Sequence, residues 1–137
     1  MDPKGILYPM TALVALTFAI LLILPFKRIG AARRGRVRAH DFKYGESTNV
    51  PGDVSIPNRN LMNLLEMPVL FYAACITFYV TQTVDATAVA LAWAYFGLRV
   101  GHSMVHLTYN RVLHRLAMYA ASNVVLAMLW VRLFHAL

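Results

Sequence analysis

Four long apolar stretches separated by polar connections organise the chain: residues 5–26, 61–82, 86–107 and 116–137. Each matches the roughly 20 residues that a helix needs to cross the hydrocarbon core of a bilayer. The first carries no charge. The second holds one acid, Glu66. The third holds Arg99, His102 and His106, and the fourth holds Arg132 and His135 near its end. Stretches one and four offer no polar face, which the surface helices of a soluble bundle require. The pattern predicts an all-α membrane protein, a single domain over residues 1–137 built as a bundle of four transmembrane helices. The first stretch does not read as a cleavable signal peptide. Its apolar run exceeds the ~7–15 residues of such a region, and no small-residue cleavage site precedes the basic run after it.

Composition agrees with the pattern. Of 137 residues, 59% are hydrophobic and 14% charged, against about 25% charged in a soluble domain. The single Cys75 excludes a disulfide scaffold. The 13 Lys and Arg outnumber the 6 Asp and Glu, for a net charge of +7. Position gives that excess its meaning. Lys27, Arg28, Arg33, Arg34, Arg36, Arg38, Lys43, Arg59, Arg111 and Arg115 fall on one side of the predicted bundle, and only Lys4 and Arg132 on the other. The positive-inside rule makes the first side cytoplasmic. Both termini are then expected on the periplasmic side of a bacterial inner membrane, which suits a short, loop-poor chain.

The first connection, 27–58, has two halves. KRIGAARRGRVRAHDFK is basic and is expected to prolong the first helix or to lie on anionic lipid headgroups. YGESTNVPGDVSIPN is rich in turn formers and reads as loop. The basic run lacks interleaved aromatics and abuts a membrane segment, so nucleic acid is not an expected partner.

Ionisable groups inside a membrane are costly unless paired or hydrated, so each needs a reason. Arg59, Asn63 and Glu66 recur at i, i+4, i+7 and share one stripe of the second helix. Arg99, His102 and His106, at i, i+3, i+7, share one stripe of the third. Both stripes fall in the cytoplasmic half. Glu66 lies roughly 10 Å deep and Arg99 roughly 12 Å, at 1.5 Å per residue, so a Glu66–Arg99 pair is expected. The pattern admits two readings: a buried network that fixes helix register, or a polar cleft open to the cytoplasm. Six polar groups in one half, with Arg111 and Arg115 just beyond, favour the cleft. Arginines there would take carboxylates, and Glu66 and Asn63 an ammonium or amide.

Other signals are weak. Gly97 and Gly101 form a G-x-x-x-G that permits close helix approach. Ser122 and Asn123 read as packing groups that hydrogen-bond across helices. His102 and His106 at i, i+4 can ligate a metal, but no third ligand is evident and no metal site is expected. There is no glycine-rich phosphate loop and no G-x-S-x-G elbow.

Four helices, a long basic first connection, R-x-x-x-N-x-x-E followed by proline (Arg59, Asn63, Glu66, Pro68) and R-x-x-H-x-x-x-H…R (Arg99, His102, His106, Arg115) together resemble the MAPEG family, the membrane-associated proteins in eicosanoid and glutathione metabolism. The string LRVGHSMVHLTYNRVLHR is similar to its bacterial members. The resemblance implies a homotrimer with glutathione as co-substrate, bound between neighbouring subunits near the cytoplasmic face. It implies glutathione contacts from Asn63, Glu66, Arg59, Arg99 and His102, with His106 standing where eukaryotic members often carry tyrosine. Lys27 or Arg28 matches the helix-one arginine that binds a glutathione carboxylate, and Arg115 the arginine that stabilises the thiolate. The implied activity is glutathione transfer or peroxidase chemistry on lipophilic electrophiles arriving from the membrane lipids. The competing expectation is a non-catalytic trimer that keeps the fold and a structural polar network. A proton-coupled transporter is disfavoured by the absence of interrupted helices or inverted halves.

Overall fold

A computed structural model describes residues 2–137 of the chain. These residues are helical without a β-strand. A single 3-10 turn, Pro3–Ile6, leads into α1 (Leu7–Arg33). A second short turn, Ala39–Phe42, lies in the polar connection. Then follow α2 (Gly52–Leu65), α3 (Pro68–Val80), α4 (Ala86–Leu107) and α5 (Val112–Ala136). Three helical stretches are long and apolar enough to cross a membrane: Pro3–Arg33, Gly52–Val80 and Val112–Ala136. Their outward faces carry large apolar side chains, among them Phe18, Leu22 and Phe26 on α1 and Val124 and Phe134 on α5. So much exposed apolar surface is a liability in water and the natural outer face of a protein whose solvent is lipid.

The fourth long helix, α4, packs one face into the bundle and leaves Trp93 and Met104 exposed on the other. At 22 residues it is about 33 Å long, and it carries the Arg99, His102 and His106 stripe inward. The ends of the bundle differ. Toward the termini the interior is apolar, with Ile6, Leu13, Phe71, Phe78 and Leu133 packed around Ala88 and Ala92, whose small side chains let helices approach closely. Toward the polar connection the buried set turns polar: Asn60, Arg99, His102, Ser103 and His106.

Helix boundaries differ from the sequence pattern where tertiary contacts intervene. α1 continues through the basic run to Arg33, so the connection proper is 34–51 rather than 27–58. The second apolar stretch, expected at 61–82, is two helices that begin at Gly52 and break after Leu65. The early start has a packing cause. Val54 docks with Ala31, Val37 and Val50 in a small apolar cluster of its own, with Phe42 against it. The late break follows from Pro68, which carries no N–H to continue the ladder and whose ring clashes with the carbonyl four residues earlier. Glu66 leaves the helix at ψ −92°. The fourth stretch, expected from residue 116, starts one turn earlier, at Val112.

α4 begins at an N-cap that also closes the bundle. The Asp85 carboxylate accepts from Ala88 N at 2.7 Å and from Arg132 Nε at 2.9 Å, tying the start of α4 to the end of α5. Gly101 lets Met118 of α5 approach, with the sulfur 3.4 Å from where a Cβ would sit, while Gly97 meets nothing within 4 Å. Ser122 donates to Tyr119 O within its own helix rather than across helices.

Candidate functional site

At the basic end of the bundle a cleft of ≈ 450 Å³ opens between α2, α4 and α5. α2 contributes Asn58, Arg59, Met62 and Asn63. α4 contributes His102 and His106. α5 contributes Arg115 and Tyr119, with Val112 and Leu116 as apolar wall. Of the residues singled out in the sequence, Arg59, Asn63, His102, His106 and Arg115 therefore meet around one cavity. Its volume lies within the range of about 300–1,000 Å³ typical of small-molecule sites.

The turn between α4 and α5 places Arg115. Asn110 sits in the left-handed region at φ 46°, a conformation asparagine tolerates better than most residues. Its N–H bonds Val105 O at 2.8 Å and ends α4. Its side chain then accepts from Arg115 Nη1 at 2.9 Å. The described residues contain three ion pairs, Arg28–Glu46, Arg36–Asp53 and Arg132–Asp85, and none involves a cleft residue. The cleft thus holds the cations Arg59 and Arg115 with no acid against them, an arrangement suited to an anion.

The inner wall is built of buried polar rings. His102 and His106 are 2% and 1% exposed, with ring centroids 5.7 Å apart, and His102 lies 6.0 Å from the Tyr119 ring. His102 Nδ1 and both ring nitrogens of His106 have no protein hydrogen-bond partner. Buried polar atoms are nearly always satisfied, so unpartnered ones lining a cavity point to a ligand.

Arg99 lies beneath the cleft rather than in it. It is fully buried, its Nη2 donates to the Asn63 carbonyl, and its guanidinium carbon stands 5.8 Å from the Tyr119 ring centroid. The break after Leu65 leaves the last carbonyls of α2 without a following turn. Arg99 satisfies one of them and places a cation at the negative helix end. The expected Glu66–Arg99 ion pair does not form, because the break turns Glu66 to the exposed outer face. Arg28 is also outside the cleft, paired with Glu46 at 2.9 Å. Asn63 turns its side-chain amide back to Arg59 O at 2.9 Å. Tyr119 escaped the sequence reading. Its one available signal is its spacing, one turn after Arg115 on the same face.

A sequence model of the MAPEG family matches residues 6–135. The chain belongs to the MAPEG family. No curated protein and no solved structure matches it. This MAPEG protein is accordingly an integral membrane protein of the family concerned with eicosanoid and glutathione metabolism. Its cleft is formed by the residues that carried the resemblance, with Tyr119 added and with Glu66, Arg99 and Arg28 placed around rather than in it.

Proposed function

We propose that this chain is a glutathione-dependent membrane enzyme, a transferase or peroxidase, that acts on lipophilic electrophiles at the cytoplasmic side of a bacterial inner membrane. The observation that carries this reading is the acid-free cleft with two arginines and unpartnered histidine nitrogens in a chain of this family. Glutathione offers two carboxylates, two amides and a thiol. Arg59 takes a carboxylate, and His102 and His106 hydrogen-bond peptide groups. Asn63 is one rotation from doing the same, and Arg115 faces the sulfur. A cation beside a thiol stabilises the thiolate. The thiolate attacks the electrophilic carbon, the C–S bond forms, the leaving group departs with its bonding electrons, and the thiol proton passes to solvent. Holding the two reactants together supplies much of the rate.

The assembly proposed is a homotrimer in which α4 is the fourth span. Glu66 is exposed on the protomer. A neighbouring subunit would bring its own Glu66 to the ligand's ammonium group. Ten of the 13 basic residues at one end support cytoplasmic placement of that end.

Purified protein is assayed for conjugation of glutathione to 1-chloro-2,4-dinitrobenzene, with binding followed by calorimetry. Binding and turnover are expected. No heat at millimolar glutathione would overturn the proposal in favour of a non-catalytic trimer. Arg115→Ala is expected to lower kcat by roughly 10²-fold, as loss of one preorganised charge-stabilising donor does, and to leave Kd within a few fold.

A further inference from the structure

Glu46 lies outside the cleft. It sits in the polar connection, in the half whose composition reads as loop. Its Oε1 accepts from Arg28 Nη2 of α1 at 2.9 Å, and its Oε2 from Ser55 Oγ of α2 at 2.7 Å. The Asn58 side chain adds a small further pull that lowers this carboxyl. The Arg28 guanidinium lies over the Phe42 ring, 4.5 Å from its centroid, so the connection grips it on two sides. The side chains are shielded, 13% exposed for Glu46 and 31% for Arg28. Burial alone would raise the Glu46 carboxyl, but the hydrogen bonds from Ser55 and Arg28 outweigh it and hold the group below its ordinary range. One carboxylate therefore joins three parts of the fold: the end of α1, the connection and the first turns of α2. Ser55 is buried, and Asn58 and Arg59, one turn further on, line the cleft.

We propose that Glu46 is a positioning residue for the cleft. By holding Arg28 and Ser55 together it fixes the first turns of α2, and with them the wall that presents Asn58, Arg59 and Asn63 to an anionic ligand. Arg28 acts through Glu46 and not as a ligand contact. A second ion pair on the same segment, Arg36–Asp53, is more exposed, at 40% and 57%. It touches no cleft residue and serves as the internal control.

The test uses the full chain in lipid nanodiscs and has two arms. The first needs no ligand: amide hydrogen exchange across residues 52–60. Glu46→Gln is expected to speed it severalfold while α4 and α5 exchange as in the parent, and Asp53→Asn is expected to leave it unchanged. Unchanged exchange in Glu46→Gln would overturn the proposal. The second arm rests on the glutathione reading above. Glu46→Gln is expected to weaken glutathione Kd about tenfold, the size of effect of one lost charge-assisted hydrogen bond, with kcat at saturation nearly unchanged. Arg28→Gln should do the same, and the double variant no more than either. Additive losses would make Arg28 a direct ligand contact and overturn the clasp. Ser55→Ala, which removes one arm of the clasp, should move both readouts in the same direction by less and provides the test should Glu46→Gln fail to fold. Absence of glutathione binding by the parent protein counts against the site assignment, and the exchange arm then decides the role of Glu46.

Discussion

Arg99 shows how one residue type at one position admits several roles. Its sequence neighbours suggest a ligand contact or an ion pair with Glu66. The structure gives it to the Asn63 carbonyl and the Tyr119 ring. Arg99→Ala opens a void and uncaps α2 in one step. A loss of about 2–5 kcal/mol is expected, in line with large-to-small core changes, read as a lower thermal midpoint in detergent. Lysine should restore little of it, because a point charge lacks the planar fork and cannot lie over the tyrosine in the same way. Glu46 makes a prediction in pH. Its folded carboxyl titrates below the ordinary value of 4.5. Its stabilisation is complete above that value and fades as pH falls through the lower folded value. Amide exchange at residues 52–60 should therefore rise with acid below about pH 4.5 relative to the intrinsic rate, and Glu46→Gln should flatten that rise.

Among the elements, α4 was the most legible. Asp85 caps it and the turn after Leu107 ends it, both local signals, and its observed range coincides with the apolar stretch 86–107. The Asp85 carboxyl is held low by the backbone N–H of Ala88 and, against some burial, by Arg132. The cap is the larger contribution, since a partly exposed ion pair is worth little. Asp85→Ala is therefore expected to cost about 1 kcal/mol, the usual worth of an N-cap. Asp85→Asn, which keeps the cap and loses the charge, should cost clearly less. Equal losses in the two variants would reverse that ranking. α2 was the least legible. Gly52, Pro57 and the polar residues around them argue for loop, and a helix starts there because Val54 and Ser55 find tertiary partners in Val37, Val50 and Glu46. Local composition cannot register a partner that is distant along the chain.

For the whole molecule the decisive quantity is the distribution of surface. The outer faces of α1 and α5 are apolar and the basic residues gather at one end. The proposed homotrimer is checked by native mass spectrometry, where a species of three times the 15.4 kDa chain is expected; a monomer in mild detergent would overturn the proposed intersubunit site. Orientation is checked with a single cysteine. Lys43→Cys should be protected from an impermeant thiol reagent in intact cells and labelled in inside-out vesicles. Cys75 is buried and gives no background.

The sequence by itself determined the membrane environment, the four apolar stretches and the family, because apolar runs of bilayer length, charge asymmetry and motif order are all properties of residues near one another in the chain. It also named half of the residues that line the cleft, since Arg59 with Asn63, and His102 with His106, lie one turn apart on their own helices. Tertiary structure alone decided which of the charged residues face that cleft. The break before Pro68 turned Glu66 outward and gave Arg99 a carbonyl to hold, and the folded connection turned Arg28 to Glu46. Each outcome depends on where a second element sits, and a carboxylate or carbonyl contributed from elsewhere in the chain leaves no trace in the spacing of the residue it binds.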